Sequence, residues 1–215
     1  MRVLVVEDHP LFRAALAQAI GRALAPTAVA EAASLAEAER ELAAHPETEL
    51  LTLDLGLPDG DGLAALAALR CQFPAVACVV VSARSEPALI RRALAHGAQG
   101  FIPKSATLAE IEEALRAVGR LETWVPPGLR AAVAAARDRE EEALAARLRG
   151  LTAQQFRVLA LIGQGLLNKQ IAERLGIAER TVKAHVGEIL AKLGARNRTQ
   201  AGLIYQRLAL APPGG

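Results

Sequence analysis

Over roughly its first 120 residues the chain alternates between two periodicities, and this alternation constrains its fold more than any other feature. Short β-branched and Leu-rich runs recur at Val3 to Val6, Thr27 to Ala33, Leu50 to Leu53, Ala77 to Val81 and Gly100 to Ile102. Between and after them, Leu, Ile or Ala fall at helical spacing over Pro10 to Ala23, Leu35 to Ala44, Gly62 to Gln72, Pro87 to His96 and Leu108 to Val118. Strands separated by helices must run parallel, and a parallel sheet needs helices on both faces. Val3 to Val6 and Ala77 to Val81 are almost continuously apolar, as strands buried on both sides should be; the second and fifth runs carry a weaker pattern. A five-stranded α/β domain is expected over residues 1–121.

From Gly119 the rhythm stops, and Pro126-Pro127-Gly128 cannot continue a helix. Residues 122–149 read as a linker, with a charged, Ala-rich helix from Leu129 to Arg149 and Gly150 as its stop. Such a helix is expected to be solvated, or else to help two chains pair. Four helices follow in a second domain over residues 150–215: Thr152 to Gly163, Asn168 to Leu175, Glu179 to Leu193 and Thr199 to Leu210. Pro212-Pro213-Gly214-Gly215 reads as a frayed tail.

The net charge of +2 hides an asymmetry. Residues 1–121 carry 11 basic and 15 acidic groups, and residues 151–215 carry 9 and 3, so a basic unit follows an acidic one and points to a polyanionic partner. No apolar run approaches the roughly 18 residues of a membrane span. The first apolar run meets Glu7-Asp8 too early to be a signal-peptide core, so a cytoplasmic protein without a membrane partner is expected. Cys71 and Cys78 lack metal-ligand spacing and read as core thiols.

In parallel sheets the reacting groups gather beyond the carboxyl ends of the strands. Here the first strand ends at Glu7-Asp8, the third at Asp54 and the fourth at Ser82, while Lys104 lies just past the fifth. Converging carboxylates repel each other, and a divalent cation relieves that repulsion; oxygen ligands favour Mg²⁺. With Mg²⁺ on Asp8, Asp54 and, through water, Glu7, Asp54 can attack phosphorus and become an aspartyl phosphate, its oxygens held by Lys104 and Ser82. Asp59-Gly60 reads as turn chemistry only. An enzyme of the haloacid-dehalogenase type needs a second Asp two residues after the nucleophile, and Gly56 occupies that place. A regulator and not an enzyme is expected.

Glu7-Asp8-His9-Pro10, the stretch Asp54 to Gly62, Ser82-Ala83 and Gly97 to Lys104 closely resemble response-regulator receiver domains. The resemblance covers residues 2 to about 120. It implies a flavodoxin-like doubly wound sheet of order 2-1-3-4-5, phosphorylation of Asp54 by a sensor histidine kinase, and the Gly56 carbonyl as a further Mg²⁺ ligand. It also casts Ser82 and Phe101 as a switch pair that reshapes the face built from the fourth helix, fifth strand and fifth helix.

Residues 151–201 resemble the LuxR-type helix-turn-helix of the NarL/FixJ-type regulators, through Leu151-Thr152, Asn168-Lys169, Ile171-Ala172, Leu175-Gly176-Ile177, Thr181 to His185, Lys192-Leu193 and Asn197 to Ala201. An all-α, four-helix domain that binds duplex DNA is implied, with the helix from Glu179 in the major groove. On it Thr181, Lys183, Ala184, Gly187 and Glu188 should face DNA, while His185 leans inward. Asn168, Lys169, Lys192, Arg196 and Arg198 are expected phosphate contacts. The chain departs from the family pattern at Gln154-Gln155, where Arg-Glu is usual, at Ala178, which cannot cap as Ser does, and at Leu167, Gly187 and Glu188. A homodimer is expected when active or on DNA, paired through Leu203, Ile204 and Arg207. In the expected mechanism the unphosphorylated receiver packs on the C-terminal domain and masks part of its DNA or dimer surface.

Overall fold

The computed structural model describes residues 1–209. Five strands, β1 (Arg2–Val6), β2 (Ala28–Ala32), β3 (Thr48–Asp54), β4 (Ala77–Ser82) and β5 (Gly100–Pro103), form one parallel sheet in the order β2-β1-β3-β4-β5. Successive side chains on a strand point to opposite faces. Leu4 and Val6 therefore pack with α2 (Leu35–Ala44), α3 (Leu63–Gln72) and α4 (Pro87–Ala95), while Val3 and Val5 pack with α1 (Pro10–Leu24) and α5 (Leu108–Gly119). The weak second run is the edge strand β2, where exposed Val29 and Glu31 alternate with more covered neighbours. The β5 edge is covered: Trp124, the chain's single Trp, is buried and its backbone bridges the strand, donating to Gln99 O at 3.0 Å and accepting from Phe101 N at 3.1 Å. Glu122 to Val125, read from sequence as linker, thus closes the sheet.

The expected single helix from Leu129 to Arg149 is a 3-10 turn (Pro127–Leu129) and two helices, α6 (Arg130–Ala135) and α7 (Arg139–Arg149). The break is set at Asp138, whose carboxylate accepts from Glu140 N at 2.9 Å and Glu141 N at 3.2 Å and so caps a new helix. Glu140, Glu141 and Glu142 in the first turn and Arg147 and Arg149 in the last match the helix dipole. α7 is not a solvated connector: Glu141, Ala145 and Leu148 are buried. Asp59 also exceeds the turn role expected for it. Its carboxylate accepts from Leu35 N at 2.9 Å and Ala36 N at 3.0 Å, capping α2 from a distant loop.

The C-terminal helices are α8 (Ala153–Gly163), α9 (Asn168–Leu175), α10 (Glu179–Leu193) and α11 (Arg198–Ala209). Leu210 and the Pro-Pro-Gly-Gly tail lie outside the described residues. Phe156, Leu159, Ile171, Val182, Ile189 and Tyr205 build their core, and Ala64 and Ala67 of α3 belong to the same apolar cluster. The N-terminal domain therefore seats on α8 and α11 through α3. It leaves α10 open, with Lys183, Ala184, Gly187 and Glu188 exposed, so of the two expected surfaces the DNA face is not masked; α11 contacts α3 with part of its surface, while Leu203 and Arg207, expected to pair two chains, remain exposed and Ile204 is half-buried.

Gly163 marks the tightest packing between α8 and α11, because a Cβ there would sit 2.9 Å from Tyr205 Cγ. Gly163→Ala is expected to cost about 1–3 kcal/mol, the usual range for overpacking, read as a lower urea midpoint at unchanged m-value.

Candidate functional site

The carboxyl ends of the strands bring the acidic residues to one crevice. β1 delivers Glu7 and Asp8, β3 delivers Asp54, β4 delivers Ser82, and Lys104 follows β5 with its N–H bonded to Ser82 O at 2.7 Å. Glu7 and Asp54 are buried, at 0% and 3% exposure, and one ammonium serves both: Lys104 Nζ donates to Glu7 Oε1 at 2.8 Å and Asp54 Oδ2 at 2.9 Å. Burial by itself would lower the Lys104 pKa, but the bonds to Glu7 and Asp54 outweigh it and hold the ammonium above its ordinary value. The other Asp54 oxygen, Oδ1, accepts from Gly56 N at 2.9 Å. A side chain at position 56 would crowd this carboxylate, since a Cβ would lie 3.4 Å from both Asp54 oxygens. Asp54, Gly56, Ser82 and Lys104 line a cavity of about 270 Å³.

These residues fit a divalent cation. Buried Glu7 Oε2 has no hydrogen-bond partner, and ligand atoms of Glu7, Asp8, His9 and Asp54 lie within 4.8 Å of one another. A set dominated by carboxylate oxygens suits a hard ion such as Mg²⁺. His9 was not among the expected ligands; its Nδ1 lies 2.8 Å from Asp8 Oδ1 and 3.1 Å from Glu7 Oε1. Ser82 Oγ accepts from Arg84 N at 3.2 Å. Phe101 is fully buried among the α2, α3 and α4 contacts of the sheet.

In the C-terminal unit, α9 and α10 meet across a turn whose Gly176 lies at φ +65°, where Ile177 N bonds back to Ala172 O at 3.0 Å. Ile171, Ala172, Val182 and Ile189 are buried between the helices. Thr181 is half-buried on α10, and His185 leans inward with a buried Nδ1. Ala178 offers no side-chain cap; at Leu167 the Gln170 side chain accepts the backbone N–H at 2.7 Å instead. The expected phosphate contacts divide. Lys169 and Arg196 are exposed, and Lys183 pairs with Glu179 at 3.1 Å. Lys192 is drawn to Gln155 Oε1 at 2.7 Å, while Arg198 bonds Asn168 Oδ1 at 2.8 Å and the Leu166 carbonyl, tying α11 to the turn before α9. Arg180, exposed on the first turn of α10, is a cation the sequence reading passed over.

A second constellation, also missed, joins the two units. Glu141 of α7 accepts from Arg92 Nε at 3.0 Å and lies 3.1 Å from Nε2 of buried His96; Arg91 pairs with Glu142. Arg92 also donates to Arg207 O at 2.7 Å. Tyr205 of α11 donates to Asp61 Oδ2 at 3.0 Å, so the loop leading out of the Asp54 pocket is bonded to the C-terminal unit. Complementary charge was the available signal: Arg91-Arg92 and His96 on one element, Glu140 to Glu142 on the other.

An acidic crevice closed by a lysine at the carboxyl end of a five-stranded parallel sheet, followed by a helix-turn-helix, defines the class of receiver-linked DNA-binding regulators. The model of the response regulator receiver domain matches residues 3–116, and that of the luxR family of bacterial regulatory proteins matches residues 149–204. The chain belongs to the response regulators that carry a luxR-family DNA-binding domain, and is a DNA-binding transcriptional regulator. It is 36% identical over 204 residues to the glycerol metabolism activator of Pseudomonas putida, covering 93% of this chain and 92% of that protein. To the DNA-binding transcriptional activator DevR/DosR of Mycobacterium tuberculosis it is 34% identical, covering 100% and 98%. The nitrate/nitrite response regulator NarL of Escherichia coli is 33% identical, with 94% and 93% covered. Among solved structures, RcsB of Salmonella typhimurium shares the fold at a TM-score of 0.57 and 20% identity, over 96% of this chain and 98% of that one. No described helix is long and apolar enough to cross a membrane.

The clasp on Glu141 has a defined pH window. Its hydrogen bond to His96 lowers the carboxyl, burial opposes, Arg92 lowers it further, and it is held at about 2, below its ordinary 4.5. A depressed acid stabilises the folded arrangement above its unfolded pKa and loses that contribution as pH falls towards the folded one. Scattering profiles of the full chain should therefore stay compact down to about pH 4.5 and expand between there and about pH 2, with Glu141→Gln already expanded at neutral pH.

Proposed function

We propose that Asp54 accepts a phosphoryl group from a sensor histidine kinase, and that this controls how the C-terminal domains pair on DNA. The buried contact of Asp54 with Lys104, beside the unpartnered oxygen of Glu7, carries the reading. Glu7, Asp8 and Asp54, with the Gly56 carbonyl, would hold Mg²⁺, which supplies a Lewis acid for the phosphoryl oxygens. An oxygen of the Asp54 carboxylate attacks phosphorus; the P–N bond to the donor histidine breaks, and the imidazole leaves with its electron pair. Lys104, already bonded to Asp54, is placed to take up the charge of the new phosphoryl oxygens, and Ser82 to donate its hydroxyl proton to another. As Ser82 turns in, Phe101 follows into the space it leaves, and α4 moves with the Phe101 packing.

α4 carries Arg91 and Arg92, with His96 at its end, and the Asp54 loop carries Asp61, so a shift of either strains the contacts to α7 and α11. Because α10 is open and α11 is held through Tyr205 and the Arg207 carbonyl while Leu203 stays exposed, release frees the C-terminal unit to reposition for pairing and does not uncover the recognition helix. RcsB has been solved as dimers bound to DNA. A homodimer of this chain would gain in the same sense, two weak heads on one duplex raising each other's effective concentration. Thr181, Lys183, Ala184 and Gly187 would face the major groove, with exposed Lys169 and Arg196 towards the phosphates; Asn168, Lys192 and Arg198 would reach them by exchanging the intramolecular bonds that hold them. The setting is cytoplasmic, and the role is regulation of transcription rather than turnover of a substrate.

With Mg²⁺ and a small phosphodonor, the chain should gain a single phosphoryl group by mass and Asp54→Asn none. The phosphorylated form should bind a duplex with paired half-sites more tightly than the unmodified form, while a single half-site binds both alike. Equal labelling of Asp54→Asn, or a gain equally large on the single half-site, contradicts the reading.

A further inference from the structure

The face of α10 left open to solvent carries an acid, Glu188, beside Lys183, Ala184 and Gly187. A carboxylate on a surface that approaches phosphates is unfavourable unless it meets a donor. Gln155 of α8 explains how this one is held. That side chain is 3% exposed, and its amide bonds on both sides: Oε1 accepts from Thr152 N at 3.0 Å and Lys192 Nζ at 2.7 Å, while Nε2 donates to Glu188 Oε2. A carboxylate at position 155 has no donor to offer and would repel Glu188; the neutral amide can bond the acid and the ammonium together. Gln155 thus links Glu188 and Lys192, which carry opposite charges, at the edge of the helix. Glu188 Oε1 has no partner among the described residues, and a Cβ on neighbouring Gly187 would meet nothing within 4 Å, so a groove wall can approach.

We propose that Glu188 is a base-reading residue: pinned through Oε2 by Gln155, it accepts through Oε1 a hydrogen bond from the exocyclic amine of a base in the major groove, cytosine N4 first. Pinning removes rotamer freedom before DNA arrives, so less is lost on contact. Lys192 offsets the charge locally, which keeps the acid from weakening the phosphate contacts around it. The inference rests on α10 entering the major groove.

The test selects duplexes from a randomised pool with the full-length protein treated with a small phosphodonor, comparing the natural chain with Glu188→Ala and Glu188→Gln. The natural chain should enrich cytosine at one position of each half-site, by about 5- to 100-fold over the base that lacks the amine. Glu188→Ala should lose that preference and no other, and Glu188→Gln should move it towards adenine, which Gln reads through N6 and N7. An unchanged preference in Glu188→Ala overturns the proposal. So does uniformly tighter binding of every sequence with a steeper salt dependence, which would mean that Glu188 only repels phosphates. If the natural chain enriches no sequence at all, the groove reading beneath the proposal falls, and the proposal with it.

Discussion

Glu7 and Asp54 are buried within reach of one ammonium group, and the arrangement of the N-terminal domain follows from keeping them there. Two buried carboxylates this close repel each other, and a cation between them relieves that repulsion. Lys104 supplies that cation by bonding both, and the backbone bond from its N–H to Ser82 O fixes β5 against β4 at the height this requires. The arrangement has a cost built into it. A lysine that bridges two acids cannot fully serve a third anion without loosening its hold, and one Glu7 oxygen is still unpartnered. Stress of that kind at a single crevice is what a phosphoryl group and a cation can relieve together.

The elements around that crevice are the ones that touch the rest of the chain. The loop after β3 places Gly56 against Asp54 and, a few residues on, Asp61 against Tyr205. α4 packs over Phe101 on one side and presents Arg91, Arg92 and His96 to α7 on the other. The C-terminal core takes in two alanines of α3, so the domains are held by shared apolar burial as well as by charge. Truncating one partner of the buried Glu141 contacts leaves the others uncompensated, which makes this contact an all-or-none element rather than a graded one.

The sheet, its helices and the pocket were legible because they depend on local signals: continuous apolar runs for buried strands, and reactive residues placed just past strand ends. The linker was not. Arg137 to Glu142 read as one charged, solvated stretch, whereas Asp138 caps a new helix and Glu141 is buried against a histidine some 45 residues earlier. Long-range charge pairing leaves no periodic trace. Asp59 misled for a similar reason, since a residue suited to a turn was also within reach of the first N–H groups of α2. Trp124 and Tyr205 were the overlooked signals: the single Trp and single Tyr of an aromatic-poor chain mark the covered sheet edge and the interdomain bond. In the C-terminal domain the helices followed from their apolar faces, but the roles of Lys192, Asn168 and Arg198 did not, because intramolecular partners already hold them.

The central claim is that the state of Asp54 is felt at α7 and α11 through the α4 and Asp61 contacts. Amide hydrogen exchange over α7 and α11, compared between the phosphorylated chain, the unmodified chain and Asp54→Asn, tests it directly. The account predicts faster exchange in both helices on phosphorylation, with Asp54→Asn treated with phosphodonor unchanged from the unmodified chain. Protection of α7 and α11 that is identical in the phosphorylated and unmodified chains, while the Asp54 pocket itself changes, would contradict it.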